Sequence, residues 1–221
     1  WQLLARAACF APEEPIPQEL LLATAVSSGD DLMANLLAED GLRRLITLGF
    51  LQKEGVQAVF MHRLAAAFAH EVSGHRNEEA FAAVTTLLVK VLSTRLEQTG
   101  HLGHLPFASV HLRHLTNRAL ATKDPITVRL GTLLGRHLRD VADYKGARVI
   151  LERVLAIPNL TNDTEALANT WIGLARVQRS MGKDEESLTS AEQAERLLRT
   201  ADSPSPAMLT HVLHRKGWSL Y

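Results

Sequence analysis

Residues 126–157, ITVRLGTLLGRHLRDVADYKGARVILERVLAI, and residues 168–200, ANTWIGLARVQRSMGKDEESLTSAEQAERLLRT, repeat one another at a spacing of forty residues. In this register Leu134-Gly135 falls on Leu174-Ala175, Ala147 on Ser187, Leu151 on Ala191 and Val154 on Ala194. Each stretch carries apolar residues at helical spacing on both sides of a short turn, which Gly182 eases in the second copy. A helix–turn–helix unit cannot bury its apolar stripe alone. Neighbouring units must therefore stack, and the stack leaves a concave face on which a partner can lie.

This is the packing pattern of a tetratricopeptide (TPR) array, and the forty-residue period is similar to the kinesin-light-chain subtype. Asp124-Pro125 offers an N-cap and a proline at the first helical position, and Ser205-Pro206 offers the same to a last helix. Asn162 with Glu165 three residues on resembles a capping box, and Pro158 stops the helix before it. The expected units are 124–160 and 161–202, a partial unit at 203–221, and a degenerate unit at 76–123 whose two helices part near Gly100 and Gly103.

Composition agrees with a helix-rich chain: 46% of the 221 residues are hydrophobic but only 5% aromatic, so strand-formers are few. Lys plus Arg equals Asp plus Glu at 24 each, which argues against nucleic acid or a membrane as bulk partner. The balance hides an asymmetry, because residues 1–75 hold five basic and nine acidic side chains and the rest nineteen and fifteen. The single cysteine, Cys9, cannot close an internal disulfide, which fits a reducing, cytoplasmic setting. No apolar run approaches the roughly 20 residues that span a bilayer. A start at Trp1 and an end at Tyr221 inside a helical pattern suggest a piece of a longer polypeptide.

Residues 1–75 follow a different order. Leu3, Leu4 and Ala7 begin a short helix that Pro12 and Pro15 end; Pro17 then opens a helix carrying Leu20, Leu21 and Leu22. Leu32, Leu36, Leu37, Leu42, Leu45 and Leu48 signal a third helix. Phe50-Leu51-Gln52-Lys53 and Val56-Gln57-Ala58-Val59-Phe60 flank Glu54-Gly55 and read as a β-hairpin. Three helices and a hairpin describe a winged helix, and residues 61–71 return to helical spacing. The expected fold is mainly α: a winged-helix domain at 1–75 followed by an α-solenoid of helix hairpins at 76–221.

Residues 41–71, GLRRLITLGFLQKEGVQAVFMHRLAAAFAHE, resemble the end of the winged-helix domain in STAND-class signalling ATPases, the NB-ARC group that includes plant and fungal immune receptors and apoptotic adaptors. The resemblance implies an NLR-like protein in which a nucleotide-binding domain precedes the winged helix and a repeat array follows. It also implies that His62, in Met61-His62-Arg63, approaches the β-phosphate of ADP in the intact parent and holds the switch closed. An imidazole suits that task because it can donate a hydrogen bond to phosphate. The chain itself has no glycine loop ending in Gly-Lys-Ser or Gly-Lys-Thr, and Gly131 to His137 lacks the lysine. ATP hydrolysis by these residues alone is therefore not expected; ADP or ATP belongs to the parent.

Two other chemistries fare poorly on the same residues. The would-be DNA-recognition helix carries Asp30, Asp31, Glu39 and Asp40 against Arg43 and Arg44, the wrong balance for phosphate neutralisation. His101, His104, His111 and His114 form two pairs at three-residue separation, but four histidines without cysteine or carboxylate make a poor zinc set. His70 and His75 are five apart, which turns the second ring away by about 140° on a helix.

The register of the repeats offers a ligand surface instead. With Gly135 and Ala175 against the paired helix, the opposite face holds Arg129, Thr132, Arg136 and Arg139, then Asn169, Ile172, Arg176 and Arg179, and in the partial unit His211, His214 and Trp218. Guanidinium groups converging on one groove suit the carboxylates or phosphates of an acidic or phosphorylated peptide. The competing reading is a solvated face whose arginines are neutralised by Asp140 and Asp143. The function expected is that of a sensor arm: a protein or peptide ligand binds the repeats, and the parent exchanges nucleotide and assembles into a homo-oligomer in innate-immune signalling. The alternatives are a constitutive TPR scaffold, or part of a STAND-TPR transcription regulator.

Overall fold

The computed structural model describes residues 1–26, 32–102 and 106–200, the side chains of 106–108 left aside, and the chain is mainly helical with one small sheet. Its first elements are α1 (Gln2–Ala7), β1 (Ile16–Pro17), α2 (Gln18–Ala25), α3 (Leu32–Thr47), β2 (Gln52–Glu54), β3 (Ala58–Phe60) and α4 (Arg63–Ser73). Two longer helices follow, α5 (Arg76–Thr99) and α6 (Pro106–Thr122). Then come two helix pairs, α7 (Thr127–Asp140) with α8 (Tyr144–Leu155), and α9 (Thr164–Ser180) with α10 (Asp184–Thr200). Contacts group Trp1–Val91 with Pro106–Leu115 in one compact unit and Leu92–Leu105 with Thr116–Tyr221 in a second, so α5 and α6 each contribute to both.

In the first unit the three strands lie in the order β1-β3-β2, both pairings antiparallel. Ile16 pairs with Val59, and both are fully buried. Strand β1 escaped the sequence pattern because two residues cannot display an alternation. Pro17 ends it and also stands at the N-cap of α2. The hairpin is shorter than expected. Its turn is residues 55–57, with Gly55 at φ 62°, so Val56 and Gln57 leave the strand and Val56 is 92% exposed. Helix α1 stops at Ala7, ahead of Pro12, where the amides of Cys9 and Phe10 bond back to Arg6 and Ala7. Of the leucines that announced α3, Leu42 is buried, whereas Leu32, Leu36, Leu37 and Leu48 are exposed.

The second unit shows the forty-residue repeat in its backbone. Ala142 and Gly182, one period apart, both take the left-handed conformation, at φ 64° and 72°. The turns around them carry the same hydrogen bonds: Ala142 N–H to Arg139 and Asp143 N–H to Leu138 in one, Gly182 N–H to Arg179 and Lys183 N–H to Gln178 in the other. Within each pair small residues let the helices close, but on alternate sides. A Cβ on Gly131 would overlap Val154, and one on Gly135 would sit 2.7 Å from Leu151 Cδ2. In the second pair the large residue is Trp171, which packs on a cluster that includes Ala194. Volume lost on one helix is thus recovered on its mate, as close packing requires.

Two expected caps are corrected. The α-helix α7 starts at Thr127; Asp124 and Pro125 form a turn ahead of it, in which Asp124 accepts from Ile126 N–H and Thr127 N–H through side chain and carbonyl respectively. Asp163, not Asn162, caps α9, its Oδ1 taking Ala166 N–H at 2.9 Å. The Ser205-Pro206 cap lies outside the described residues.

Candidate functional site

In the first unit His62 is the N-cap of α4, and its Nδ1 accepts the Leu64 amide at 3.2 Å. The proton must then sit on Nε2, which is 3.3 Å from Glu13 Oε1. Glu13 reaches this place because its own backbone is left-handed, φ 64°, with its amide bonded to Met61 O at 2.8 Å. Met61 is buried and anchors the start of the helix, while His62 and Glu13 are both about half exposed. These residues do not by themselves fit a phosphate group. The one donor His62 offers is directed at a carboxylate, and the nearby amide of Leu64 is already taken. Nothing in the sequence flagged Glu13, because its approach depends on a turn conformation that non-glycine residues seldom adopt.

In the second unit the expected groove arginines of α7 are engaged with the protein itself. Arg129 Nη2 donates to Asp163 Oδ2 at 2.9 Å, tying α7 to the cap of α9. Arg136 Nη2 donates to Gly100 O at 2.7 Å, and its buried Nε finds no hydrogen-bond partner among the described residues. Arg139 pairs with its neighbour Asp140 at 2.6 Å, and the other oxygen of Asp140 accepts the Leu102 amide at 3.0 Å. Burial, then the like charge of Arg139, hold the Arg136 pKa below its ordinary value, with Asp140 acting in the other direction. Asp143 caps α8, accepting from Gly146 N–H at 2.9 Å.

On α9, Asn169 and Arg179 are exposed and Arg176 is half-buried. The spacing of seven and three residues puts them on one stripe of the helix, as it does Arg129, Arg136 and Arg139 on α7. Helices α7 and α9 are neighbours, and Thr132 Oγ1 lies 2.7 Å from Thr170 Oγ1 between them. Ile172, read from the sequence as groove-facing, is instead buried with Ala168, Ala194 and Leu198. Ile172 falls on the same stripe by spacing, three residues after Asn169 and four before Arg176, and is drawn to the core by the area it removes from water. His211, His214 and Trp218 lie outside the described residues.

The histidines that the sequence marks as a poor zinc set divide. His111 is buried and bonded to backbone on both ring nitrogens, His101 is exposed, and His104 lies outside the described residues. Among the described residues no group of three or more His, Cys, Asp or Glu is placed to hold a metal ion. No described helix is long and apolar enough to cross a membrane. No protein-family model, curated protein or solved structure matches the chain.

Proposed function

We propose that residues 124–202 are a tetratricopeptide-type binding module whose ligand lies along the stripe shared by α7 and α9. The observation that carries this reading is the backbone repeat at Ala142 and Gly182, with matched turn bonds forty residues apart. Stacked helix pairs of this kind present an extended concave surface, and binding is the function that such a surface supports. Exposed Asn169 and Arg179 on α9, with exposed Arg129 on α7, are the donors offered to an acidic peptide. A non-enzymatic role for these residues, as the sensing arm of a STAND-type nucleotide-switched protein with a winged helix at 1–75, rests on the resemblance of residues 41–71. His62 as the ADP contact belongs to that larger protein.

Calorimetry with a glutamate-rich peptide and its glutamine counterpart, against wild type and Arg179→Glu, tests the surface. Preference for the acidic peptide, reduced about tenfold or more by the charge reversal, is the expected result for a charge-assisted contact. Equal binding of the two peptides by wild type, or no binding of either, rejects an acidic-ligand groove. For the switch, ADP retention by the intact protein carrying His62→Ala is the readout, and unchanged retention rejects the His62 contact.

A further inference from the structure

The short loop 11–15, Ala-Pro-Glu-Glu-Pro, between α1 and β1 is held at alternate residues by two histidines from distant parts of the first unit. His111, on α6, takes the Ala11 amide on Nδ1 at 3.1 Å and meets Pro15 O with Nε2 at 2.9 Å. Its ring stands edge-on to Phe10 at 5.2 Å, and only 1% of the residue is exposed. His62 holds the middle of the loop through Glu13. Both rings are committed to the same tautomer, because each Nδ1 accepts a backbone N–H and each Nε2 faces an oxygen. The two attachments differ in their surroundings. His62 and Glu13 meet half exposed to solvent. A charged His111 places an N–H against the Ala11 N–H in a buried site, and among the described residues no carboxylate bonds to its ring.

We propose that loop 11–15 is an acid-released clasp, closed by neutral His111 and opened when that ring takes up a proton. Opening at Ala11 and Pro15 would uncover Phe10 and free the end of β1, while Glu13 stays tethered to His62 and Met61. The titratable groups next in sequence to the ring's contacts at Phe10, Ala11 and Pro15 are Arg6, Cys9, Glu13 and Glu14, and next to the ring on α6 they are Arg113 and His114. Arg6 donates to Thr24 O, Cys9 Sγ bonds to Ala5 O, and Glu13 faces His62. Burial, opposed by the Pro15 carbonyl, accounts for the lowered pKa of His111. The opened loop, with a solvated ring, is therefore the form that binds the proton more readily.

The test is amide exchange by NMR on wild type and His111→Gln, expressed as protection factors at each pH. Glutamine keeps an acceptor and a donor but does not titrate. In wild type, Ala11 should lose protection by up to about tenfold per pH unit below pH 6.5, while Val84 in α5 holds steady. In His111→Gln the Ala11 profile should be flat. Flat wild-type protection, equal loss in both proteins, or equal loss at Val84 overturns the clasp, the last because opening would then be global. If His111→Gln does not fold, nitrogen shifts of the wild-type ring decide: the Ala11 amide must titrate together with His111, and a ring that titrates without moving that amide refutes the proposal.

Discussion

Asp163 serves two helices at once: Oδ1 caps α9 at the Ala166 amide and Oδ2 receives Arg129 of α7, each at 2.9 Å. The cap is the larger of the two contributions, since Arg129 is well exposed and the ion pair is screened. Asp163→Ala should lower the unfolding free energy by about 1 kcal/mol, and Asp163→Asn, which preserves the cap, by a few tenths. The Ala166 amide, then Arg129, hold the Asp163 pKa below 3.8. This stabilisation is complete above that value and is lost as pH falls through the lower folded pKa. Denaturant titrations at neutral pH and in acid measure both; equal losses in the two variants would deny the cap its role.

Gly131 and Val154 should show strong coupling. A Cβ at residue 131 overlaps Val154, so Gly131→Ala is expected to cost about 1–3 kcal/mol despite the better helix propensity of alanine. In a Val154→Ala background the same change has room and should stabilise by up to about 1 kcal/mol. A double-mutant cycle measures the reversal, and additive effects would contradict the alternation of large and small residues described above.

The two turns predict opposite effects of one methyl group. Ala142 carries a Cβ in a left-handed conformation that Gly182 occupies without one. Ala142→Gly should raise stability by about 0.5–1 kcal/mol and Gly182→Ala should lower it by about 1 kcal/mol. Thermal unfolding of the pair compares them directly.

Ser190 Oγ donates to Gln178 Oε1 at 2.7 Å inside the second helix pair, where the first pair has Ile150 and Leu138. Ser190→Ala strips a buried oxygen of this donor and should cost about 1–3 kcal/mol. Gln178→Leu combined with Ser190→Ala removes both polar groups and should cost less than the single change. A larger loss in the double variant would mean that the polar pair is not what Ser190 supports.

Stability of the first unit should fall on mild acidification. The folded pKa of His111 lies below its ordinary 6.5, so below that value the unfolded chain takes up a proton that the folded one resists. The expected loss has a slope of at most about 1.4 kcal/mol per pH unit and ends at the lowered folded pKa. His111→Gln should flatten the curve. Denaturation midpoints across this range provide the comparison, and parallel curves would remove His111 as the cause.

Helix placement was legible to different degrees for reasons that the elements make plain. The two helix pairs were readable because 3.6-residue periodicity and a second copy at forty residues reinforce each other from Leu134 and Leu174 outward. Asn162 and Asp163 are both good caps, and only the path of the chain chose between them. The leucine run of α3 announced a helix, but Leu36 and Leu37 show that an apolar face in sequence need not be a buried one. The arginine stripe was equally visible. Its meaning changed when Arg136 met Gly100 and Arg129 met Asp163, partners too distant in sequence for any spacing rule to connect.

By itself the sequence determined the mainly helical class, the helix–turn–helix periods, the position of the hairpin and the absence of a phosphate-binding loop from these 221 residues. Backbone bonding within a helix or tight turn is local, so residue order is enough to specify it. Tertiary structure decided which polar groups satisfy one another. His62 turns to Glu13, Asp163 to Arg129, and His111 to Ala11 and Pro15 about a hundred residues away. Burial makes the His111 pairing necessary, and in all three cases only packing brings the partners within reach.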